Sequence, residues 1–158
     1  MSKSVKRVMV EAEKSNLGIQ IIQTEAPTKT AQQAANFVGC HIDQIGKSIL
    51  ITGAYTEKLH LFLTPGGRHV DLSLAAKCIA EPTTKADARQ VRTVTGFTIG
   101  GVSPIGHITK IPVWFCPEVF HFETIWVAAG TPNHLFEIAP SRLKDATSAR
   151  QASFLQEI

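Results

Sequence analysis

The apolar positions of this chain form short runs whose spacing changes repeatedly between helical and strand-like. Apolar residues three or four positions apart predict helices over 4–17, 31–38, 73–78 and 85–92, with a last helix starting at Pro140. Runs rich in β-branched and aromatic residues predict strands over 19–23, 44–51, 59–63, 97–102, 113–115, 124–129 and 135–138. Threonines are expected to cap two of the helices: Thr28 or Thr30 the second, and Thr83 or Thr84 the fourth.

The order of these elements limits the fold class. Several strands are separated by short turns, which indicates antiparallel pairing, and Pro65-Gly66-Gly67 predicts that 68–72 returns as a hairpin strand. Strict alternation of strand and helix is missing, so a doubly wound parallel sheet is disfavoured. The sequence predicts an α/β protein of the α+β type. Its core would be a mixed, largely antiparallel, curled sheet or barrel-like core flanked by short helices, within a single domain over residues 1–158.

Composition agrees with a globular chain. Of the 158 residues, 44% are hydrophobic and 18% are charged, which disfavours disorder. The formal net charge of +3 permits a nucleic-acid partner without requiring one. The odd number of three cysteines, with no C-x-x-C spacing, argues against a disulfide framework or a zinc site. With no signal-like apolar run and no stretch approaching the ~20 residues of a membrane span, we expect a cytoplasmic protein with no membrane partner.

One cation stands out because it lies inside an apolar strand. Lys47 interrupts the run Gln44-Ile-Gly-Lys-Ser-Ile-Leu-Ile51, which follows the short predicted helix 31–38. A buried ammonium is costly, so this group must reach water or an anion. It is either a lysine that blocks pairing on the solvent face of an edge strand or a ligand for a phosphate.

Two loops can also carry chemistry. Gly100-Gly101-Val-Ser103-Pro104-Ile-Gly-His107 lets the backbone approach a ligand closely and can direct N–H groups at an oxyanion, or it is a tight turn between strands. Gly130-Thr-Pro-Asn133-His134 offers a histidine that can bind a substrate or act as a base, or it serves its own loop. No dinucleotide fingerprint, P-loop, nucleophile elbow or metal-ligand spacing is found in the sequence. The lysine and the two loops alone do not identify a reaction.

Four short motifs, which follow one another along the chain, indicate a resemblance that the spacing of single residues does not. They are Thr30-Ala-Gln-Gln-Ala-Ala35, Gln44-Ile-x-Lys47-Ser-Ile-Leu50, Thr95-Gly-Phe-x-Ile-Gly-Gly-Val-x-Pro104 and Trp126-x-Ala-Ala-Gly-Thr-Pro-Asn-His134. Together they resemble the YbaK/prolyl-tRNA synthetase-associated editing family, over about residues 5–145. The resemblance implies a free-standing hydrolase that removes wrongly attached amino acids from the 3′ end of tRNA, with a curled sheet flanked by helices. It also implies an activity that needs no cofactor or metal.

The resemblance assigns roles to residues of this sequence. It implies that the catalytic residues are Lys47, Gly100, Gly101 and His134, with Lys47 beside the terminal adenosine of the tRNA. It implies that the substrate-binding residues are Thr30, Ser48, Ser103, Pro104, Gly130 and Asn133. The Gly-Thr-Pro-Asn-His ending is closer to branches acting on serine, threonine or alanine than to the cysteine-removing branch. The expected partners are mischarged tRNA and a synthetase or elongation factor.

Two other functions remain open at this point. A domain of this family could hold a tRNA end or a synthetase without cleaving anything. It could also hydrolyse a small free amino-acid ester, in which case the tRNA body would not affect the rate.

Overall fold

The computed structural model describes residues 2–158, and over that range the chain forms five α-helices and eight β-strands. The helices are α1 (Lys3–Lys14), α2 (Ala31–Val38), α3 (Leu72–Ile79), α4 (Ala88–Thr95) and α5 (Pro140–Thr147). The strands are β1 (Ile21–Gln23), β2 (Ile45–Gly53), β3 (Leu59–Pro65), β4 (Thr83–Lys85), β5 (Val113–Phe115), β6 (Ile125–Ala128), β7 (His134–Ile138) and β8 (Arg150–Gln151). None of these helices combines the length and the apolar character that a membrane crossing needs.

All eight strands belong to one mixed sheet with the order β1-β7-β6-β2-β3-β5-β8, and β4 pairs with β2. Four pairs are antiparallel, among them the long β2–β3 ladder, and three short pairs are parallel. Every residue of β3 is buried, because it lies at the centre of the sheet with the main apolar core around it. The predicted fold class, with a largely antiparallel sheet and flanking short helices, is confirmed.

The pairing of β2 leaves a gap in the sheet. On the side away from β3, its first two residues, Ile45 and Gly46, pair with β6, and its last three, 51–53, pair with β4. Within residues 2–158, no strand pairs with 47–50 on that side. Lys47 therefore lies on a stretch of open strand edge near the middle of the molecule.

Several predicted elements are wrong, each for a physical reason. The stretch 97–102 is a loop and not a strand, because Phe97 is buried as an anchor while Thr98 to Gly101 turns. Thr83 and Thr84 do not cap a helix: they belong to β4, and Asp87 caps α4 by accepting a hydrogen bond from the Arg89 N–H.

The predicted hairpin return over 68–72 is also wrong. Val70 makes an isolated antiparallel bridge to Leu155 of the C-terminal segment, and Asp71 ends the stretch by capping α3. The same C-terminal segment supplies β8, parallel to β5, where no strand was predicted. Both features depend on contacts between residues far apart in the chain, which no local pattern records.

Candidate functional site

Lys47 lies on the open edge of β2 and is half-buried. Burial lowers the pKa of its ammonium from the ordinary value of 10.5, and the nearby carboxylate of Asp43 opposes that shift. A half-buried cation whose charge is destabilised by desolvation gains from an incoming anion. The position therefore fits the phosphate-binding role better than that of a fully solvated edge lysine.

The lysine forms part of the wall of a cavity of about 490 Å³. Four of the sequence-predicted site residues line this cavity: Thr30, Lys47, Ser48 and Gly100. The hydroxyl oxygen of Ser48 is buried and has no hydrogen-bond partner within residues 2–158. An unpaired buried hydroxyl is unusual, and this oxygen is enclosed by the protein although other atoms of Ser48 line the cavity.

Helix α2 begins at this cavity. Thr30 is its N-cap: the Thr30 hydroxyl accepts a hydrogen bond from the Gln33 N–H at 3.1 Å, and the Gln33 side chain in turn accepts one from the Thr30 N–H. The first two helical residues, Ala31 and Gln32, line the cavity, and N–H groups at this position have no intrahelical acceptor. The positive end of the helix dipole and Lys47 thus both face the same space, which favours an anion there.

The glycine-rich loop forms the opposite wall. The Gly101 N–H donates to the Thr98 carbonyl at 3.0 Å, so the turn occupies one of the two N–H groups that the sequence offered for an oxyanion. Gly100 is at the third position of that turn with φ of +97°, a conformation typical of glycine. Gly100 and Val102 both line the cavity, and their N–H groups meet no acceptor within residues 2–158.

Gly101 is fixed by the loop it packs against. A Cβ added to it would lie 2.7 Å from the Thr131 Cα, so no side chain fits. The loop that carries Thr131 is held in turn by Thr28, whose N–H and hydroxyl both donate to the Pro132 carbonyl, at 2.9 and 3.0 Å. The Gly100 loop, the Thr131 loop and the segment before α2 therefore meet at one point.

The other predicted site residues lie away from this cavity. Ser103 is fully buried, and its hydroxyl accepts from the Ile105 N–H. Pro104 lines a separate small cavity of about 250 Å³. Gly130 packs against α1, where an added Cβ would lie 2.9 Å from the Ser4 carbonyl. The Asn133 backbone carbonyl accepts a hydrogen bond from the Thr24 N–H.

His134 faces the opposite side of β7 from the site. Neighbouring strand residues point to opposite faces: Leu135 lines the site cavity, while His134 lines a larger cavity of about 820 Å³ between α1 and β1. Its Nδ1 is 2.6 Å from the Thr131 hydroxyl. His134 therefore contacts a residue of the site and does not itself line the site cavity.

Sequence reasoning missed several residues that line the cavity. They include Thr131, Val102 and Ala128, with Ala31 and Gln32 at the start of α2. Ala128 could not be predicted as a site residue from the sequence, because only the parallel pairing of β6 with β2 brings it near Lys47. Thr131 lies inside the Gly-Thr-Pro-Asn-His motif, so that motif was the signal that could have found it.

Neither a metal-ion cluster nor a reactive thiol is found among residues 2–158. Among residues 2–158, no three His, Cys, Asp or Glu side chains are grouped closely enough to hold a metal ion. Burial raises the pKa of the Cys40 and Cys78 thiols, and it raises that of Cys116 to about 12. Thiols with raised pKa values are poor nucleophiles at neutral pH.

Comparison with known proteins shows the family to which this chain belongs. A family model described as the aminoacyl-tRNA editing domain matches residues 25–146. The chain belongs to the aminoacyl-tRNA editing domain family, as its motifs predicted.

Three relatives illustrate the family. The uncharacterized protein YwhH of Bacillus subtilis is 25% identical over 142 residues, which is 90% of each chain. EbsC of Enterococcus faecalis, a candidate Cys-tRNA(Pro)/Cys-tRNA(Cys) deacylase, is 26% identical over 124 residues, covering 78% of this chain and 75% of EbsC. A solved structure of a candidate trans-editing enzyme for prolyl tRNA synthetase is 34% identical, covers 99% of both chains and has a TM-score of 0.92.

Proposed function

We propose that this protein is a free-standing trans-editing hydrolase. It would cleave the ester between tRNA and a small, wrongly attached amino acid: serine, threonine, alanine or cysteine. The observation that carries the proposal is that Lys47, the start of α2 and two loop residues with unpaired N–H groups line one cavity of about 490 Å³. Family membership and the description of EbsC support the same substrate class.

The walls of the cavity suggest how the ester would be held. Lys47 and the N–H groups of Ala31 and Gln32 would bind the phosphate of the terminal adenosine. The N–H groups of Gly100 and Val102 would then face the ester carbonyl oxygen and stabilise the negative charge that develops on it. Because the aminoacyl ester is already reactive, positioning and oxyanion stabilisation supply most of what hydrolysis needs.

The bond changes are those of a simple ester hydrolysis. A water oxygen attacks the ester carbonyl carbon, the bond from that carbon to the ribose oxygen breaks, and the ribose oxygen leaves with a proton. Lys29 and Lys47 are the ionisable residues that line the cavity, and neither suits a general base in its charged form. We therefore assign proton transfer to the substrate's own 2′-hydroxyl, with the Thr131 hydroxyl orienting the water.

Substrate size follows from the apolar part of the wall. Four aliphatic side chains of modest size in this wall are buried in the fold: Ala34, Ile45, Val102 and Leu135. These four cannot move far to admit an aromatic side chain, whereas Ile99 at the same cavity is exposed. Such an editing site complements a synthetase, which rejects a smaller or isosteric amino acid by only ~1–3 kcal/mol.

The test is deacylation of a matched panel of Ser-, Thr-, Ala-, Cys- and Phe-charged tRNAs at two salt concentrations. We expect cleavage of one or more small aminoacyl esters, little cleavage of Phe-tRNA, and a shallow salt dependence because the net charge is only +3. Binding of the charged tRNAs without turnover would instead make the protein a binding module. Equal rates on a free amino-acid ester and on tRNA would contradict an editing role.

A further inference from the structure

A second cavity, of about 550 Å³, adjoins the first along β2. Lys47 and Ile49 line both cavities, so the phosphate-binding lysine lies on their common boundary. Aliphatic side chains supply much of the second cavity's lining: Ile49, Leu50, Ile51, Val70 and Leu72. A chain that enters the first cavity past Lys47 would therefore pass directly over a second, largely apolar surface.

The open edge of β2 supplies an unpaired N–H group to this cavity. The Leu61 N–H donates away from β2, to the Pro112 carbonyl, so Leu50 and Leu61 form a non-hydrogen-bonded pair. The N–H and C=O of Leu50 must then point to the opposite edge, where residues 47–50 have no partner strand within residues 2–158. The pairing of Ile51 with Lys85 directs the Leu50 C=O at the residue after β4, so the N–H of Leu50 is the group left open. An acceptor on the edge of a nucleobase can bond to this N–H.

The charges around the second cavity are complementary to a nucleic-acid strand. Its ionisable lining residues, Lys47, His69 and Lys85, are all bases. Lys85 pairs with Ile51 across the β2–β4 ladder, so Lys47 and Lys85 project from the same face of the sheet. Four residues of strand place them ~13 Å apart along β2, which exceeds the ~3.4 Å between successive charges of a stacked strand. The two lysines can therefore contact different phosphates.

We propose that this second cavity binds the single-stranded nucleotides that precede the terminal adenosine of the tRNA. The base next to the terminal adenosine would lie on the aliphatic surface with its edge against Leu50, and Lys85 would contact a phosphate further along the strand. The inference rests on the proposed function for the direction of the strand. The cavity, the unpaired edge and the basic lining are independent of it.

The kinetic test compares esters of one amino acid on adenosine and on the trinucleotide CpCpA. A cavity that binds the extra nucleotides should raise kcat/KM for the trinucleotide ester by ~10-fold over the adenosine ester. Lys85→Glu should lose most of this gain and leave hydrolysis of the adenosine ester unchanged. The matched control is Lys6→Glu, the same charge change at an exposed residue of α1. Equal kcat/KM values for the two esters in the wild type, or equal effects of the two variants, would overturn the proposal.

A binding experiment separates this proposal from the proposed function. Uncharged CpCpA should perturb the amide resonances of Leu50, Val70 and Thr84 in wild-type protein and much less in Lys85→Glu. That result would support the nucleotide site even if no aminoacyl ester were cleaved, an outcome that would contradict only the editing activity. If CpCpA left these amides unperturbed, the open edge would be available to an extended peptide instead, and the nucleotide site would be wrong.

Discussion

Replacing Lys47 by alanine should lower kcat/KM for aminoacyl-tRNA by roughly two orders of magnitude. A unit charge ~4 Å from a phosphate is worth ~1 kcal/mol in water and ~4 kcal/mol at an effective dielectric constant of 20. Lys47 is half-buried, so a value of ~2–3 kcal/mol between these limits is appropriate, which corresponds to a loss of about 30- to 160-fold. The fold should remain intact, because burial disfavours the charged lysine when no anion is bound.

The assay is single-turnover and steady-state deacylation by variants whose thermal unfolding has first been compared. Lys47→Met tests the loss of charge at nearly constant length, and Lys47→Arg should retain part of the activity because it keeps the cation. Lys29→Ala is the matched control, since Lys29 lines the same cavity but is exposed. Wild-type rates in a folded Lys47→Ala protein would refute the phosphate-binding role. An equal loss of activity in Lys29→Ala would show that the rate depends on the total positive charge at the cavity and not on Lys47 in particular.

Three further predictions concern the same cavity. Because burial lowers the pKa of Lys47, its charge is lost at a lower pH than that of an ordinary lysine. KM should therefore rise on the alkaline side, and Lys47→Arg should remove that rise once uncatalysed ester hydrolysis is subtracted. Gly101→Ala should destabilise the protein by ~1–3 kcal/mol and reduce activity, because the new Cβ would lie 2.7 Å from the Thr131 Cα; an unchanged melting temperature would contradict that packing. Activity should survive exhaustive chelation with EDTA, and recovery of lost activity on adding zinc or magnesium would show a metal site.

Sequence patterns predicted best the elements whose signals are local. Helix α2 has its cap at Thr30 and its stop at Gly39 within ten residues, and the predicted range 31–38 matches the structure. The loop at 97–102 was predicted as a strand because it is rich in apolar residues. Phe97 is buried as an anchor and Val102 in the cavity wall, however, whereas Ile99 is exposed in the turn before Gly100.

The candidate site was predicted in part for the same reason. Thr30, Lys47, Ser48 and Gly100 lie in recognisable local motifs, and the structure brings all four to one cavity. His134 shows the limit of such motifs: the motif could locate it in a loop near the site, but only the strand register decides which face it takes. A shift of one residue along a strand reverses the face of every side chain, and that register is set by distant pairing partners.

The remaining support for the site comes from α1, outside the residues that the family model matches. The Arg7 guanidinium donates hydrogen bonds to the Gly96 carbonyl and to the Ser4 hydroxyl, and it lies 5.2 Å from the centre of the Phe97 ring. These contacts fix the beginning of the loop that leads to Gly100. We infer that Arg7 holds in place the loop N–H groups that we propose bind the oxyanion, without itself lining the cavity.

Arg7→Met tests this positioning role. The variant should lower kcat several-fold or more with little change in KM. In the proposed mechanism the loop N–H groups act on the charge that develops in the transition state, while Lys47 binds the phosphate independently of them. Loss of the partly buried hydrogen bonds should also destabilise the protein by ~1–3 kcal/mol, so rates are compared well below the melting temperature. Lys6→Met, one residue away on the exposed side of α1, removes the same charge and should leave both constants unchanged. A rise in KM with kcat preserved would place the effect of Arg7 on substrate binding instead and would contradict the idea that α1 holds the glycine-rich loop for catalysis.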